Sequence, residues 1–368
     1  MKSGIKNIAA LGIGLTISLA LCEIILHFYN PFKSRVRGNE ILLPANVKYE
    51  FKDQKIRGLD AQILHTKNSM GFRGPELPKD PATLKIFCVG GSTTECFYLS
   101  DGKDWPALLM KKMQANGQNV WINNAGLDGH STFGHIKLLR DHILKYKPDY
   151  VLFLIGCNDV AADGLNKFEG YHLNNKKRFL ENFEMFNLYL NWKMSRNAAN
   201  MGMGHKPVDF ANWPKADTTG WMNTRDSWLT DDIKERKLLA FSERIDSLRS
   251  ICFAVGIQCV FITQPSILSN NIDPITRRYL GNLEFQGKSA LHYFTALDTY
   301  NEQLRSCGSR IMDGNLNKFY WVVDAANVLK PTTQNYYDFF HYTNTGAEKM
   351  ADIVFENWGK KIQNKYTK

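Results

Sequence analysis

Apolar positions along the chain follow three patterns. From Ile8 to Phe28 (IAALGIGLTISLALCEIILHF) they run almost unbroken for 21 residues, with Glu23 as the single carboxylate. A helix rising about 1.5 Å per residue would carry this run through roughly 32 Å, enough to cross the hydrocarbon core of a bilayer. Residues 31–80 are punctuated by Pro and Gly and show no strong period. Beyond them, short continuously apolar runs alternate with stretches of helical period. The runs Leu84–Gly90, Val120–Asn124, Tyr150–Ile155, Gln258–Thr263 and Tyr320–Asp324 predict strands. Trp105–Gln114, Phe133–Tyr146, Asp232–Val255, Leu291–Leu304 and Thr343–Trp358 predict helices. Strands that are apolar on both faces and separated by helices predict an α/β fold with a parallel sheet covered on both sides. Such sheets carry their sites beyond the carboxyl ends of the strands.

The pattern divides the chain into an N-terminal anchor at 1–30, a leader segment at 31–80 and one domain at 81–368. Two stretches break the alternation. Residues 161–231 form a long insertion rich in Asn, Met and aromatic residues, among them Phe168, Tyr171, Trp192, Trp213, Trp221 and Trp228. Residues 266–290 form a smaller one. A long loop within a compact domain is usually functional or has structure of its own. Aromatic faces flanked by amides suit sugar rings, an acyl chain or a protein partner, so 161–231 is expected to be a lid, a partner-binding surface or a surface elaboration.

The first apolar run is long for the core of a signal peptide, and no small-x-small cleavage site follows it, which favours an uncleaved transmembrane helix. Glu23 lies near its far end, where it would reach the interface or face a partner helix. Lys2 and Lys6 before the run are balanced by Lys33, Arg35 and Arg37 after it, so flanking charge does not set the orientation.

Composition narrows the function classes. In 368 residues, 44% hydrophobic and 22% charged positions exclude wholesale disorder. The net charge of +10 is scattered rather than clustered. With no basic arm and no zinc-finger or RNA-motif spacing, a nucleic-acid partner is not expected. Seven cysteines without a CxxC support neither a disulfide scaffold nor a zinc ribbon. Cys88, Cys157 and Cys259 sit in apolar runs and are expected to be small buried hydrophobes.

Each strand-end loop holds a candidate polar group. The first strand runs into Gly90-Gly91-Ser92-Thr93-Thr94, the second ends Asn123-Asn124-Ala125-Gly126, and the third ends Gly156-Cys157-Asn158-Asp159. Asp338-Phe339-Phe340-His341 lies just before the last helix. A serine nucleophile needs a base within hydrogen-bond reach and a group that orients the base. Asp338 and His341 can supply both, with Asp338 holding the Nδ1 proton and Nε2 left to take the proton of Ser92. The oxyanion then needs donors from another direction, and the N–H groups of Ser92 and Gly126 with the side-chain amide of Asn158 would give three. Ser131 in Gly129-His130-Ser131-Thr132-Phe133 competes weakly as a nucleophile, because Phe133 stands where a nucleophile elbow needs glycine. His130, His135 and His142 have no matching carboxylate spacing and no HExxH, so no metal site is expected.

Taken together, these blocks resemble the SGNH hydrolases, the GDSL esterase/lipase superfamily. Gly90-Gly91-Ser92-Thr93-Thr94 looks like the nucleophile block, Asn124-Ala125-Gly126 like the glycine block and Gly156-Cys157-Asn158-Asp159 like the GxND block. Asp338 through Gly346 (DFFHYTNTG) looks like the final DxxH block. Asn68-Ser69-Met70-Gly71-Phe72-Arg73-Gly74 looks like a segment found before the nucleophile strand in membrane-anchored bacterial members. The resemblance covers roughly 68–160 and 318–358 and leaves out the insertion. In one departure, Gly91 stands where the usual motif has an acid, a form that anchored relatives often show.

The resemblance implies a three-layer α/β/α flavodoxin-like domain tethered by its N-terminal helix, in the periplasm or at the cell surface. It implies serine-dependent hydrolysis of a lipid, small acyl ester or acetylated glycan without metal or organic cofactor. Acyl transfer to a polysaccharide hydroxyl and an inactive anchored scaffold are the alternatives.

Overall fold

A computed structural model of the chain describes residues 2–29, 36–37, 40–52, 55–161, 180, 182–200, 205, 207–210, 212, 231–285, 288–309 and 320–362. It divides into two compact units, Met1–Pro44 with Tyr171–Met203, and Ala45–Gly170 with Gly204–Lys368. Most of the insertion aromatics, Phe168, Tyr171, Trp213, Trp221 and Trp228, lie outside the described residues.

In the first unit, helix α1 spans Lys2–Phe28. Its segment Gly4–Phe28 has a mean hydropathy of 2.2 and buries none of its most apolar window, so it is long and apolar enough to cross a membrane. A signal sequence near an N-terminus has the same length and character. Glu23 faces a second helix, Glu184–Asn200: its carboxylate accepts hydrogen bonds from the N–H groups of Glu184 and Met185. Those donors have no partner within their own helix, so the acid acts as an N-cap supplied from another helix. Trp192 lies exposed on the same helix.

The second unit is built on five parallel strands: β3 (Leu84–Gly90), β4 (Val120–Gly126), β5 (Tyr150–Ile155), β6 (Gln258–Thr263) and β7 (Tyr320–Val323). They lie in the spatial order β7-β6-β5-β3-β4. Numbered from the first of them, this is the 2-1-3-4-5 order of flavodoxin-like sheets, with its switch point between β3 and β5. Every residue of β4 is buried, and only the first residue of β5 and of β6 is partly exposed. The strands can therefore be continuously apolar because helices cover both faces. Helices Trp105–Ala115, Thr132–Leu138, Asp231–Ala254, Ala290–Ser309 and Asn344–Asn357 alternate with them. The helix expected over 133–146 is α-helical only to Leu138, then widens through a π turn at Leu139–Ile143 and tightens into a 3-10 turn at Leu144–Tyr146.

Residues from Ala45 onward cluster with the sheet, and β1 (Val47–Phe51) pairs antiparallel with β2 (Ile63–Lys67). Beyond this hairpin the Arg73 guanidinium, 2% exposed, turns four of its five donors to the loop after β3. Nη1 donates to the carbonyls of Glu95 (3.0 Å) and Cys96 (2.7 Å), and Nη2 donates to Leu99 (2.5 Å). Nε donates to Asp101 (3.2 Å) and lies 3.4 Å from the buried Asp104 carboxylate.

Burial drives His65 and His135 down to about 3, which leaves both neutral inside the fold. All seven cysteines are unpaired, and all but Cys22 are buried.

Arg73→Met should take the counter-charge from the Asp104 carboxylate and one hydrogen bond from each of three carbonyls, a loss of about 3–5 kcal/mol for breaking a buried ion pair. Arg73→Lys should recover only part of it, because a point ammonium cannot fill a five-donor fork. Urea unfolding in detergent measures both; a midpoint unchanged in Arg73→Met would remove the clamp from the account.

Candidate active site

The two strands that flank the switch point end in the two best placed candidate groups. Ser92 opens helix α2 (Ser92–Glu95) directly after β3 and is 7% exposed. Within that helix Thr94 and Glu95 donate back to Gly91, and among the described residues the N–H of Ser92 meets no acceptor. The helix ends at Cys96, a non-glycine residue with φ +50°, and two of the Arg73 bonds fall on the carbonyls on either side of that turn. The glycines before Ser92 answer crowding rather than a special dihedral. A Cβ on Gly91 would lie 2.2 Å from Asn158 Nδ2, and one on Gly90 would lie 2.9 Å from the Leu154 carbonyl. Any side chain at 91 would therefore displace the Asn158 amide, which gives the departure at that position a physical consequence.

Asn158 follows β5, and its Nδ2 donates to the His130 carbonyl at 2.9 Å, leaving its second amide proton over. The neighbouring Asp159 is buried and joins three elements. It accepts from the N–H (3.0 Å) and Oγ1 (2.5 Å) of Thr132, while Arg244 donates to Thr132 Oγ1 at 2.6 Å and lies 3.6 Å from the carboxylate. Burial raises the Asp159 carboxyl despite these partners. Ser131, the competing nucleophile, is 1% exposed at the start of Thr132–Leu138, too enclosed to meet a substrate.

Gly126 lies where the sequence places it, but its N–H already donates to Asn124 Oδ1 at 2.9 Å. A Cβ there would lie 2.2 Å from the backbone nitrogen of Glu95, so the glycine lets β4 press against α2. Three residues on, Gly129 has φ +78° and open space where a Cβ would stand. The turn spends the N–H groups of Asp128 and His130 on Glu95 and Leu127, and among the described residues that of Gly129 between them meets no acceptor. A left-handed glycine in a loop beyond a strand end is the signal that could have found it.

Asp338 and His341 meet as the spacing predicts, through a bend rather than a helical turn. Asp338 Oδ1 accepts from the backbone N–H groups of Phe340 (2.9 Å) and His341 (2.7 Å), and Oδ2 lies 2.6 Å from His341 Nδ1. Burial pushes the Asp338 carboxyl up; the charge and hydrogen bonds of His341 outweigh it and hold the acid below its ordinary value. Nδ1 is thus the proton donor to a carboxylate, and Nε2 is buried without a hydrogen-bond partner. The structure joins Asp338 to His341, and Ser92 to the Gly91–Asn158 turn; it draws no hydrogen bond between Ser92 and Nε2.

One residue at this site escaped the sequence reading. His205, from within the 161–231 stretch, packs against His341 with ring centroids 4.1 Å apart and planes inclined by 34°. Its Nδ1 is 3.1 Å from the Tyr337 hydroxyl and its Nε2 is 3.6 Å from Asp128. His205, Asp338 and His341 each place one ligand-type atom within 4.8 Å of the others, spacing that a metal ion can use. Their arrangement suits proton handling better, because the rings overlap by their faces whereas ligating lone pairs lie in the ring plane, and Asp338 is committed to Nδ1.

Residues 88–184 match the model of the GDSL-like Lipase/Acylhydrolase family. An arylesterase from Vibrio mimicus is 30% identical over 78 residues, which cover 21% of this chain and 39% of that protein. A solved lipase/acylhydrolase from Enterococcus faecalis aligns with 77% of this chain and 100% of its own at 16% identity, with a TM-score of 0.41. An acetyl xylan esterase from Geobacillus stearothermophilus covers 76% of this chain and 96% of its own at 14% identity, with a TM-score of 0.41. The matched segment holds Ser92, Gly126 and Asn158 and ends before Asp338 and His341. The segment 88–184, with three motif blocks on successive strand ends of the 2-1-3-4-5 sheet, is the part of the chain that is similar to the GDSL-like lipase/acylhydrolase family.

Proposed function

We propose that the chain is a membrane-anchored serine esterase that cleaves carboxylic esters, carbohydrate O-acetyl esters among them, through an acyl-enzyme on Ser92. The observation that carries this reading is the imidazole of His341, tied through Nδ1 to a buried carboxylate at 2.6 Å with Nε2 enclosed and unpartnered. A general base needs that arrangement: the carboxylate selects the tautomer and stabilises the imidazolium, and the second nitrogen is left to take a proton.

Ser92 Oγ attacks the ester carbonyl carbon while its proton passes to His341 Nε2; the serine–histidine hydrogen bond tightens as substrate binds. The carbonyl oxygen becomes an oxyanion, met by the N–H of Ser92 and the free amide proton of Asn158. Gly126 can serve as a donor only by giving up Asn124, so Gly129 is the better third donor. Collapse breaks the C–O bond to the alcohol, which leaves with the proton from His341. Water then repeats the sequence on the acyl-enzyme and restores Ser92. Helix α1 would hold this domain at a membrane, outside the cytoplasm by analogy with the anchored bacterial members that the leader resembles.

Ser92→Ala should abolish both hydrolysis of short aryl and glycan acetates and labelling by a fluorophosphonate probe, while circular dichroism stays unchanged; near-normal turnover would refute the assignment. A scaffold that has lost turnover would fail to label even in the wild-type chain. Asn158→Ala should lower kcat by about 10²–10³ with a smaller effect on KM, since an oxyanion donor acts in the transition state. A change confined to KM would make Asn158 a substrate contact instead. The full chain should fractionate with membranes and keep its first residues; a mature terminus near residue 30 would make α1 a cleaved signal.

A further inference from the structure

His205 is held from every side. Asp128, in the loop after β4, faces Nε2 at 3.6 Å, and the Tyr337 hydroxyl faces Nδ1 at 3.1 Å. The edge of Tyr98, just beyond the nucleophile helix, meets the ring at 5.2 Å and 77°. Backbone pairing keeps the segment there: the N–H of Val208 donates to the Tyr337 carbonyl at 3.1 Å, and Phe210 is buried. Tyr337 in turn stacks on His341 at 5.7 Å and 18°. An imidazole face carries neither an N–H nor a lone pair. Contact on that face therefore restrains the plane of His341 and leaves Nε2 free for chemistry.

The same contact has an electrostatic consequence. Both ring nitrogens of His205 have partners whether the ring is neutral or charged, since the tyrosine hydroxyl can donate or accept. Burial lowers its proton affinity; the hydrogen bond and charge of Asp128, with the charges of Asp338 and Glu95, outweigh this and raise it above the ordinary histidine value. Glu95 is itself paired with Lys67 at 2.8 Å, which damps its share. An imidazolium at 205 opposes a second positive charge on the ring it overlaps.

We propose that His205 is a positioning residue of the esterase, fixing the plane of the His341 ring and coupling protonation of the catalytic base to a second imidazole–carboxylate pair formed with Asp128. The inference rests on the serine-esterase reading. It adds a function for a residue contributed by the insertion and absent from the family blocks.

The test compares His205→Phe, which keeps a flat ring but cannot titrate, with His205→Ala, which removes both, in the full-length protein in detergent. Removing the charge makes His341 easier to protonate. The acid limb of kcat/KM for an aryl acetate should therefore move to higher pH in both variants, by about half a unit or more. His205→Phe, which keeps a flat ring on the His341 face, should lose less plateau kcat than His205→Ala. His205→Ala should lose about tenfold or more in kcat with less change in KM, as expected when a base is no longer held in line. Acid limbs that coincide with wild type in both variants would overturn the proposal, because simple packing loss scales the profile without moving it. Imidazole NMR titrations in the Ser92→Ala background give a reading independent of turnover. The His341 transition should shift when His205→Phe is added, and an unmoved transition would overturn the coupling. If Ser92→Ala leaves turnover intact the esterase reading falls, while these titrations still decide whether the two rings are coupled.

Discussion

The loop that carries Ser92 depends on a buried cation supplied from outside the sheet. Chain leaving β3 must turn sharply at Ser92, form one short helix, and reverse again at Cys96 through a left-handed backbone that a non-glycine residue adopts only under constraint. Arg73 meets that constraint with the carbonyls of Glu95, Cys96 and Leu99 on one side of its fork and the carboxylates of Asp101 and Asp104 on the other. Its main chain also pairs with Asn124 in β4, so the same residue spans both strand ends. A buried guanidinium is costly unless its donors are used, and here four of the five make hydrogen bonds. The leader is thus a structural part of the site.

Around that clamp the other site loops are cross-linked by short polar networks. Glu95, on the far end of the nucleophile helix, accepts from Lys67 of the hairpin and from the N–H of Asp128 in the loop after β4. Asp159 fastens the loop after β5 to Thr132 and Arg244. The C-terminal block is seated by crowding, since a Cβ on Gly346 would lie 1.9 Å from the Asn335 carbonyl, and Thr343 caps the last helix through the Gly346 N–H at 3.1 Å. Among the described residues each loop leaves one polar group without a hydrogen bond, namely the Ser92 hydroxyl, one Asn158 amide proton and His341 Nε2. A rigid frame with a few unspent groups is what pre-organised chemistry requires.

The sequence by itself determined the sheet. Strands 84–90, 150–155 and 258–263 match their predicted bounds because a strand buried on both faces must be apolar throughout, and such runs are readable one residue at a time. It also determined the Asp338–His341 pair, whose partners are three residues apart and close through local backbone. The hairpin 47–51/63–67 escaped because its first strand alternates between half-buried and exposed positions and carries no strong apolar signal. Only the tertiary structure decided which donors are free. Gly126 reads as an oxyanion donor until Asn124 is seen to occupy its N–H, and Gly129 reads as an ordinary turn. His205 is a lone histidine after Met201-Gly202-Met203-Gly204, and its neighbours Asp128, Tyr337 and His341 come from loops remote in sequence. Hydrophobic period and local spacing are written along the chain because they concern neighbours in sequence; hydrogen-bond occupancy and the overlap of two rings concern neighbours in space, which exist only once the chain has folded.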